Sequence, residues 1–163
     1  MNTRLPLVVV LGASGFVGTA VTAALAGRPV RLRPVARRPS AVPADARAKV
    51  EVRVADLTDG AAVTRAVAGA DAVIHLVTHA GGWRGADRDP ASERVNVGLV
   101  YDIVAALAER RRPGPAPVVV FAGSTSQVGL PPRVPIDGTE PDRPQTTYDR
   151  QKLAAEDALK AAT

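Results

Sequence analysis

A tyrosine and a lysine near the end of the chain are the residues best placed to move a proton. Tyr148 and Lys152 stand at positions i and i+4 of a helix that the sequence predicts from about residue 147. This spacing puts both side chains on one helical face. A neighbouring ammonium group stabilises a phenolate, so the pair predicts general acid–base chemistry at the phenol oxygen.

Three glycines near the start of the chain follow a short apolar strand. Gly12, Gly15 and Gly18 are spaced G-x-x-G-x-x-G at the start of a predicted helix. Gly12 permits a tight turn, Gly15 a close approach to a phosphate, and Gly18 close packing of the helix. A pyrophosphate would lie at the helix N-terminus, against unpaired N–H groups. We therefore expect a dinucleotide to bind at Gly12, Ser14, Gly15, Phe16, Val17 and Gly18.

Two arginines follow the second predicted strand, where proteins that bind NAD carry an acidic residue. Arg37 and Arg38 occupy this place, and no acid stands beside them. Guanidinium groups form forked hydrogen bonds that suit the 2′-phosphate of NADP. We expect NADP (as NADPH) rather than NAD, the alternative being two solvated surface arginines.

The elements that must position these residues alternate along the chain. Strands are predicted over residues 5–11, 30–36, 50–54, 72–77 and 118–121, and helices over 15–26, 60–69, 92–111 and from about 147. Such alternation indicates right-handed βαβ units. We predict an α/β fold, a Rossmann-type doubly wound parallel sheet of five strands in the order 3-2-1-4-5, in one domain over residues 1–163.

Composition excludes several other classes of protein. The chain has 163 residues, no cysteine and two histidines, so neither disulfides nor a metal site are expected. The net charge is +5, but the arginines, including Arg110, Arg111 and Arg112, are scattered without interleaved aromatic residues, so no nucleic acid partner is predicted. No apolar run approaches the roughly 20 residues of a membrane span. Without a signal peptide, a cytoplasmic protein is expected.

The two end motifs, in this order and on this pattern of elements, resemble the extended subclass of the short-chain dehydrogenase/reductase family. In that family a Ser or Thr lies five residues before a glycine, which selects Ser124 ahead of Gly129, with Thr125 as the alternative. The resemblance implies a Ser/Tyr/Lys mechanism: Ser124 and Tyr148 bind the substrate oxygen, Lys152 supports Tyr148, and the cofactor supplies hydride.

The resemblance also assigns roles to residues between the two motifs. Asn96 would support the lysine through its backbone and a water molecule. The pair Asp56 and Leu57 would lie beside the adenine, and Lys152 would reach the nicotinamide ribose. The end of the fourth strand would lie along the cofactor at Leu76, Val77 and Thr78. His75, by contrast, is interpreted as a packed strand residue.

Within the extended subclass, the chain most resembles bacterial 4-ketoreductases of nucleotide-linked deoxysugars. This implies NADPH-dependent reduction of the C4 ketone of a dTDP-linked deoxysugar. Dehydratases carry an Asp-Glu pair where this chain has Thr125 and Ser126, which argues against dehydration. The alternatives are a sugar-nucleotide epimerase with bound NAD and a non-catalytic NADP-binding regulatory module. Such modules generally lose the tyrosine that is present here.

Proteins of this subclass continue beyond the tyrosine and lysine into a substrate-binding part. We expect that part to be missing from a chain that ends at Thr163, and the chain alone to be a poor catalyst. The resemblance also implies a homodimer through residues 92–111 and 147–161. The exposed faces of these helices are predicted to contain Val100, Ile103, Leu107, Leu153 and Leu159, although some of these must pack on the sheet. The inward face of the first helix is predicted to carry Val95, Leu99, Ile103, Ala106 and Leu107.

Overall fold

The computed structural model describes residues 4–109 and 114–162, so the predicted arginine group at 110–112 and the helix break at Pro113 lie outside the described residues. The strands are β1 (Leu7–Leu11), β2 (Arg31–Ala36), β3 (Lys49–Val50), β4 (Arg53–Val54), β5 (Ala72–His75) and β6 (Val118–Phe121). The helices are α1 (Phe16–Ala26), α2 (Gly60–Val67), α3 (Gly82–Ala86), α4 (Ala91–Glu93), α5 (Leu99–Ala108) and α6 (Thr147–Ala161). A π-helical turn (Arg94–Gly98) joins α4 to α5, and a 3₁₀ turn (Thr125–Val128) follows β6.

These elements fall into two compact units. The first contains residues up to 77 together with 105–122, and the second contains residues 78–104 together with those from 123 onward. The first unit therefore holds the whole sheet and the glycine turn. The second holds the predicted serine, tyrosine and lysine. Among the described residues, none of the helices is long and apolar enough to cross a membrane.

The sheet of the first unit is parallel throughout and confirms the predicted α/β fold. Its order is β3-β2-β1-β5-β6, and β4 also pairs with β2. Counted as five strands, this is the predicted order 3-2-1-4-5. Parallel strands are buried on both faces, which explains their apolar runs. The central positions Val9, Val10, Leu11, Leu32, Val35 and Val73 are completely buried.

The third predicted strand is divided in two because of a proline in its neighbour. Leu32 pairs with Val50 and Val35 pairs with Arg53, so the register is the same on both sides of the break. Pro34 lies between the two paired segments of β2 and has no N–H to donate. The hydrogen-bond ladder is therefore interrupted without a shift in register.

A buried arginine ties α2 to the sheet. Arg33 in β2 is only 5% exposed, and its Nη1 donates to Ala66 O and Ala68 O, both at 2.9 Å. These carbonyls lie at the C-terminal end of α2, where cations are favoured. Its Nε donates to Glu51 at 3.1 Å. Arg33 is therefore a buried structural residue of the first unit.

In the second unit, the predicted helix over 92–111 starts with α4, contains the π-helical turn and continues as α5. The segment between β5 and α4 contains α3. Val100 and Ile103, two of the apolar residues that we placed on the exposed faces, are completely buried. This burial agrees with the inward orientation also predicted for Ile103 and with the expectation that some of these residues pack inside the chain.

The first unit depends on a close contact between α1 and the turn that precedes it. Gly12 has φ +87°, a conformation that favours glycine. A Cβ atom at Gly18 would lie 2.1 Å from Gly12 O and 2.9 Å from Ala13 Cα. The glycine at position 18 therefore lets the first turn of α1 rest directly on backbone.

Gly18→Ala should destabilise the chain by about 1–3 kcal/mol, because backbone must move to admit the methyl group. Gly27→Ala is the matched control, since a Cβ there would meet its nearest atom at 3.7 Å. Chemical denaturation followed by circular dichroism measures both. Equal stabilities of the two variants would contradict the prediction.

Candidate active and cofactor sites

The glycine turn lies against the ends of two strands in its own unit. Gly12 N and Ala13 N donate to Val35 O at 2.9 and 3.2 Å, which fixes the turn beside the end of β2. A Cβ atom on Gly12 would lie 3.1 Å from both Leu76 C and Val77 N, just after β5. Two of the predicted cofactor-binding segments are thus adjacent at the carboxyl edge of the sheet, where α/β proteins bind ligands.

The N-terminus of α1 differs from those of two other helices. Asp59 caps α2 and Thr146 caps α6, each through its side chain. The residue that precedes α1 is Gly15, which offers no side-chain cap, and the first turn of α1 carries no acid. An uncapped N-terminus keeps N–H groups and a positive dipole end for an anion. Phe16 and Val17 are 98% and 54% exposed on this first turn, and Ser14 is half-buried.

The two arginines after β2 are exposed and have an acidic neighbour that sequence reasoning missed. Asp56 follows β4, which pairs beside the end of β2. Hydrogen bonds from Thr58 N and Oγ1 hold the pKa of Asp56 below its ordinary value, and the charge of Arg37 adds to this. Leu57 is buried next to it. The group around Arg37 and Arg38 therefore has mixed charge. The sequence has no acid directly after β2, so the effect of Asp56 on Arg37 was not predicted.

In the second unit, α6 presents the predicted tyrosine and lysine on one face. Lys152 Nζ lies 5.9 Å from the centre of the Tyr148 ring. Lys152 is 5% exposed, and burial lowers the pKa of its amine. Tyr148 is half-buried. The two side chains therefore lie together on one face of α6, as their spacing predicted.

Ser124 begins the 3₁₀ turn and is held by its own loop. Its Oγ lies 2.7 Å from Ser126 Oγ and accepts from Ser126 N at 3.3 Å. Ser124 N donates to Gln127 Oε1 at 3.0 Å, while Gln127 Nε2 donates to Glu156 of α6 at 3.0 Å. The buried amide of Gln127 thus links the serine turn to the helix that carries Tyr148. Thr125, the alternative to Ser124, is exposed.

A buried carboxylate inside the tyrosine–lysine motif was not predicted. Asp149 accepts a hydrogen bond from Ser126 Oγ at 2.5 Å and one from Thr146 N at 3.0 Å. Burial disfavours its charge, yet these bonds and one from Gln145 N hold the pKa of Asp149 below its ordinary value. The capping pattern of Thr146 and Asp149 was readable in the sequence. The contact with Ser126 joins residues 23 positions apart and had no such signal.

Asn96 lies in the π-helical turn and joins three parts of the second unit. Its Oδ1 accepts from His79 N at 2.8 Å and from Thr78 Oγ1 at 3.2 Å. Its Nδ2 donates to Gln151 Oε1 at 2.7 Å, and Gln151 Nε2 donates to Ser92 Oγ at 2.9 Å. π-helical turns are rare in proteins, and those that occur are often at functional sites. Asn96 therefore contacts the residue beside the lysine, and its predicted support of Lys152 itself through backbone and water stays a prediction.

A family comparison matches residues 8–163 to the NAD dependent epimerase/dehydratase family. The chain belongs to this family. The match covers the glycine turn and the tyrosine–lysine helix, so it includes both motifs that led to the short-chain dehydrogenase/reductase resemblance. His75, which is 1% exposed and has its ring centre 5.5 Å from that of Phe121, is the packed strand residue that we predicted.

Several solved structures are similar across nearly the whole chain. MoeE5, in complex with UDP-glucose and NAD, matches 96% of this chain with 25% identity and a TM-score of 0.79. A nucleoside-diphosphate-sugar epimerase from Agrobacterium tumefaciens matches 98% with 25% identity and a TM-score of 0.85. Uronate dehydrogenase from the same organism matches 98% with 25% identity and a TM-score of 0.78.

The chain spans about half the length of these proteins: 48% of MoeE5, 49% of the epimerase and 56% of the dehydrogenase. No curated protein matches its sequence significantly.

Gln151→Leu should destabilise this family member by about 2 kcal/mol or more. The substitution deprives the buried Asn96 amide of an acceptor and Ser92 Oγ of a donor, and each stranded group costs about 1–3 kcal/mol. Arg150→Leu, at the exposed neighbouring position, should change the free energy of unfolding by no more than about 0.5 kcal/mol. Urea denaturation measures both, and a neutral Gln151→Leu would show that the amide network contributes little.

Proposed function

We propose that the chain binds NADPH in its first unit and contributes proton-transfer residues from its second unit to the reduction of a keto group. The observation that carries this proposal is the face of α6 on which the buried amine of Lys152 lies beside the ring of Tyr148. Membership of the NAD dependent epimerase/dehydratase family supports nicotinamide-dependent chemistry. In this proposal, residues 1–163 are a dinucleotide-binding domain.

The glycine turn fits a bound dinucleotide. A side chain at Gly12 or Gly18 would fill the space beside backbone, and the uncapped start of α1 can receive a pyrophosphate. Leu76 and Val77 would line the cofactor, and Asp56 and Leu57 would flank the adenine. We assign Thr78 and Lys152 to the nicotinamide ribose end. The bound cofactor would supply hydride.

The residues of the second unit would manage the proton and the developing negative charge. Tyr148 would give its phenol proton to the carbonyl oxygen, and the ammonium of Lys152 would stabilise the phenolate that remains. Ser124 would hydrogen-bond the same oxygen as its charge grows. Asn96 would hold the segment before α3 and, through Gln151, the helix that carries the lysine.

The proposed substrate is a nucleotide-linked sugar, specifically the C4 ketone of a dTDP-linked deoxysugar. MoeE5 is described with UDP-glucose, and another similar protein as a nucleoside-diphosphate-sugar epimerase, which supports the class of substrate. A panel of nucleotide-linked 4-keto sugars and simple ketones, assayed with NADPH, tests it. Turnover of simple ketones alone would defeat the sugar assignment and leave the reductase assignment standing.

The similarity to an epimerase supports one second candidate, epimerisation with bound NAD. An epimerase oxidises and reduces the same sugar, so it consumes no cofactor overall. Interconversion of two sugar nucleotides without a net change in absorbance at the nicotinamide band would favour epimerisation over net reduction.

Arg37 and Arg38 should give NADPH a higher affinity than NADH. Replacing both with alanine should weaken NADPH at least about tenfold, because a charged hydrogen bond contributes about 1.5–3 kcal/mol, and should leave NADH nearly unchanged. Arg28→Ala with Arg47→Ala is the control, since these arginines are also exposed. Calorimetric titration decides, and wild-type chain that binds NADH as tightly as NADPH would refute the preference.

In the full-length form, Tyr148→Phe should lower the rate of reduction about 10²–10⁴-fold, because it keeps the ring and removes the transferable proton. Cofactor affinity should change little. Tyr101→Phe removes the hydroxyl of the other tyrosine, which is 57% exposed, and should keep full activity. Full activity of Tyr148→Phe in a steady-state assay would disprove the mechanism.

A homodimer through the helices at 92–111 and 147–161 remains a prediction. With Val100 and Ile103 buried in the chain, the half-buried side chains Leu107, Leu153 and Leu159 would carry it. Sedimentation equilibrium at micromolar concentration should give twice the mass of 16.9 kDa. A concentration-independent monomer would exclude this interface.

A further inference from the structure

Ser124 belongs to a row of three side chains that ends on a buried carboxylate. Ser124 Oγ lies 2.7 Å from Ser126 Oγ, and Ser126 Oγ lies 2.5 Å from Asp149 Oδ1. The second carboxylate oxygen, Oδ2, accepts from Thr146 N at 3.0 Å and from Gln145 N at 3.3 Å. One oxygen of Asp149 therefore holds the start of α6, and the other holds the two serines.

The ionised state of Asp149 sets the direction of both hydroxyl hydrogen bonds. An ionised carboxylate can only accept, so the single hydroxyl proton of Ser126 points to Asp149. In its contact with Ser124, Ser126 Oγ can then only accept. The hydroxyl proton of Ser124 therefore points to Ser126 Oγ. Ser126 N also donates to Ser124 Oγ at 3.3 Å, which uses one lone pair of that oxygen and agrees with this direction.

Within the described residues, the serine turn brings no charged side chain to the Asp149 carboxylate. The turn Thr125–Val128 contains hydroxyl, amide and apolar side chains only. The contacts of Asp149 at 145 and 146 are N–H groups and a threonine hydroxyl. The nearest charged residues along α6 are Arg150, whose guanidinium donates to Gln145 O and Thr147 Oγ1, and Lys152.

We propose that Asp149 is a positioning residue that acts through Ser126 and makes Ser124 a hydrogen-bond acceptor toward the substrate. The remaining lone pair of Ser124 can accept from a substrate hydroxyl. A carbonyl oxygen has no proton to give, so Ser124 binds it only after turning away from Ser126. This inference rests on the proposed function and deepens it: in the resting site Ser124 accepts from the secondary alcohol, and it must turn away from Ser126 to donate to the ketone.

The first arm of the test measures the carboxylate and needs no turnover. Carbon-13 NMR follows the titration of Asp149 in the wild-type chain, in Ser126→Ala and in Ser126→Thr. Ser126→Ala removes the hydroxyl donor and should raise the pKa of Asp149 toward its ordinary value, whereas Ser126→Thr keeps a hydroxyl and should titrate like wild type. An unchanged titration in Ser126→Ala would overturn the proposal.

The second arm compares the two forms of one substrate, a nucleotide-linked sugar alcohol and its ketone. Ser126→Ala releases the proton of Ser124, so the KM for the ketone should fall about 2- to 12-fold relative to the KM for the alcohol, the effect of one net hydrogen bond. Ser126→Thr should restore the wild-type ratio. An equal change in both KM values would indicate a merely structural role and would overturn the proposal.

The two arms separate this inference from the proposed function. If the full-length form turns over neither substrate form, the proposed function fails, while the titration still decides whether Asp149 holds the serine pair. If turnover occurs but Ser126→Ala leaves the ratio of the ketone KM to the alcohol KM unchanged, the reductase assignment stands. The proposed positioning role of Asp149 is then wrong.

Discussion

The contact between α1 and the turn before it is the constraint on which the first unit depends. At Gly18 the helix touches the carbonyl of Gly12 so closely that no side chain fits, and Gly12 itself needs a positive φ. This contact fixes where α1 begins and aims its free N–H groups beyond the end of β1. The same turn donates two hydrogen bonds to Val35 O, so the end of β2 and the arginines after it have a fixed place relative to the helix.

The second unit is organised by buried polar side chains as well as by apolar ones. Asn96, Gln127, Asp149, Gln151 and Lys152 are all at most 7% exposed. A buried polar group destabilises the fold unless it is hydrogen-bonded, so such residues hold one arrangement and reject near alternatives. The serine turn, the π-helical turn and α6 are joined in this way, which gives the groups proposed for proton transfer a defined geometry that apolar contacts alone would not impose.

Sequence patterns were sufficient for most of the strands and long helices and for the residues with local signals. The alternation of strands and helices predicted the sheet order, and the glycine spacing predicted the turn. What the sequence did not reveal depends on contacts between distant residues. Asn96 and Gln151 are 55 positions apart, and Arg33 reaches carbonyls 33 and 35 positions away. Pro34 has no N–H, so an interruption of the hydrogen-bond ladder could be anticipated. That the interruption gives two short strands, β3 and β4, in one register depends on their pairing with β2.

Burial disfavours the charge of two residues in α6, Asp149 and Lys152, but the net outcome differs between them. Lys152 is surrounded by protein, and loss of hydration lowers the pKa of its amine. Asp149 is also buried, but donors from the serine turn and from the chain before α6 more than offset the loss of water, so its pKa falls and its charge is kept. The same helix thus holds an amine whose charge is made less favourable and a carboxylate whose charge is made more favourable.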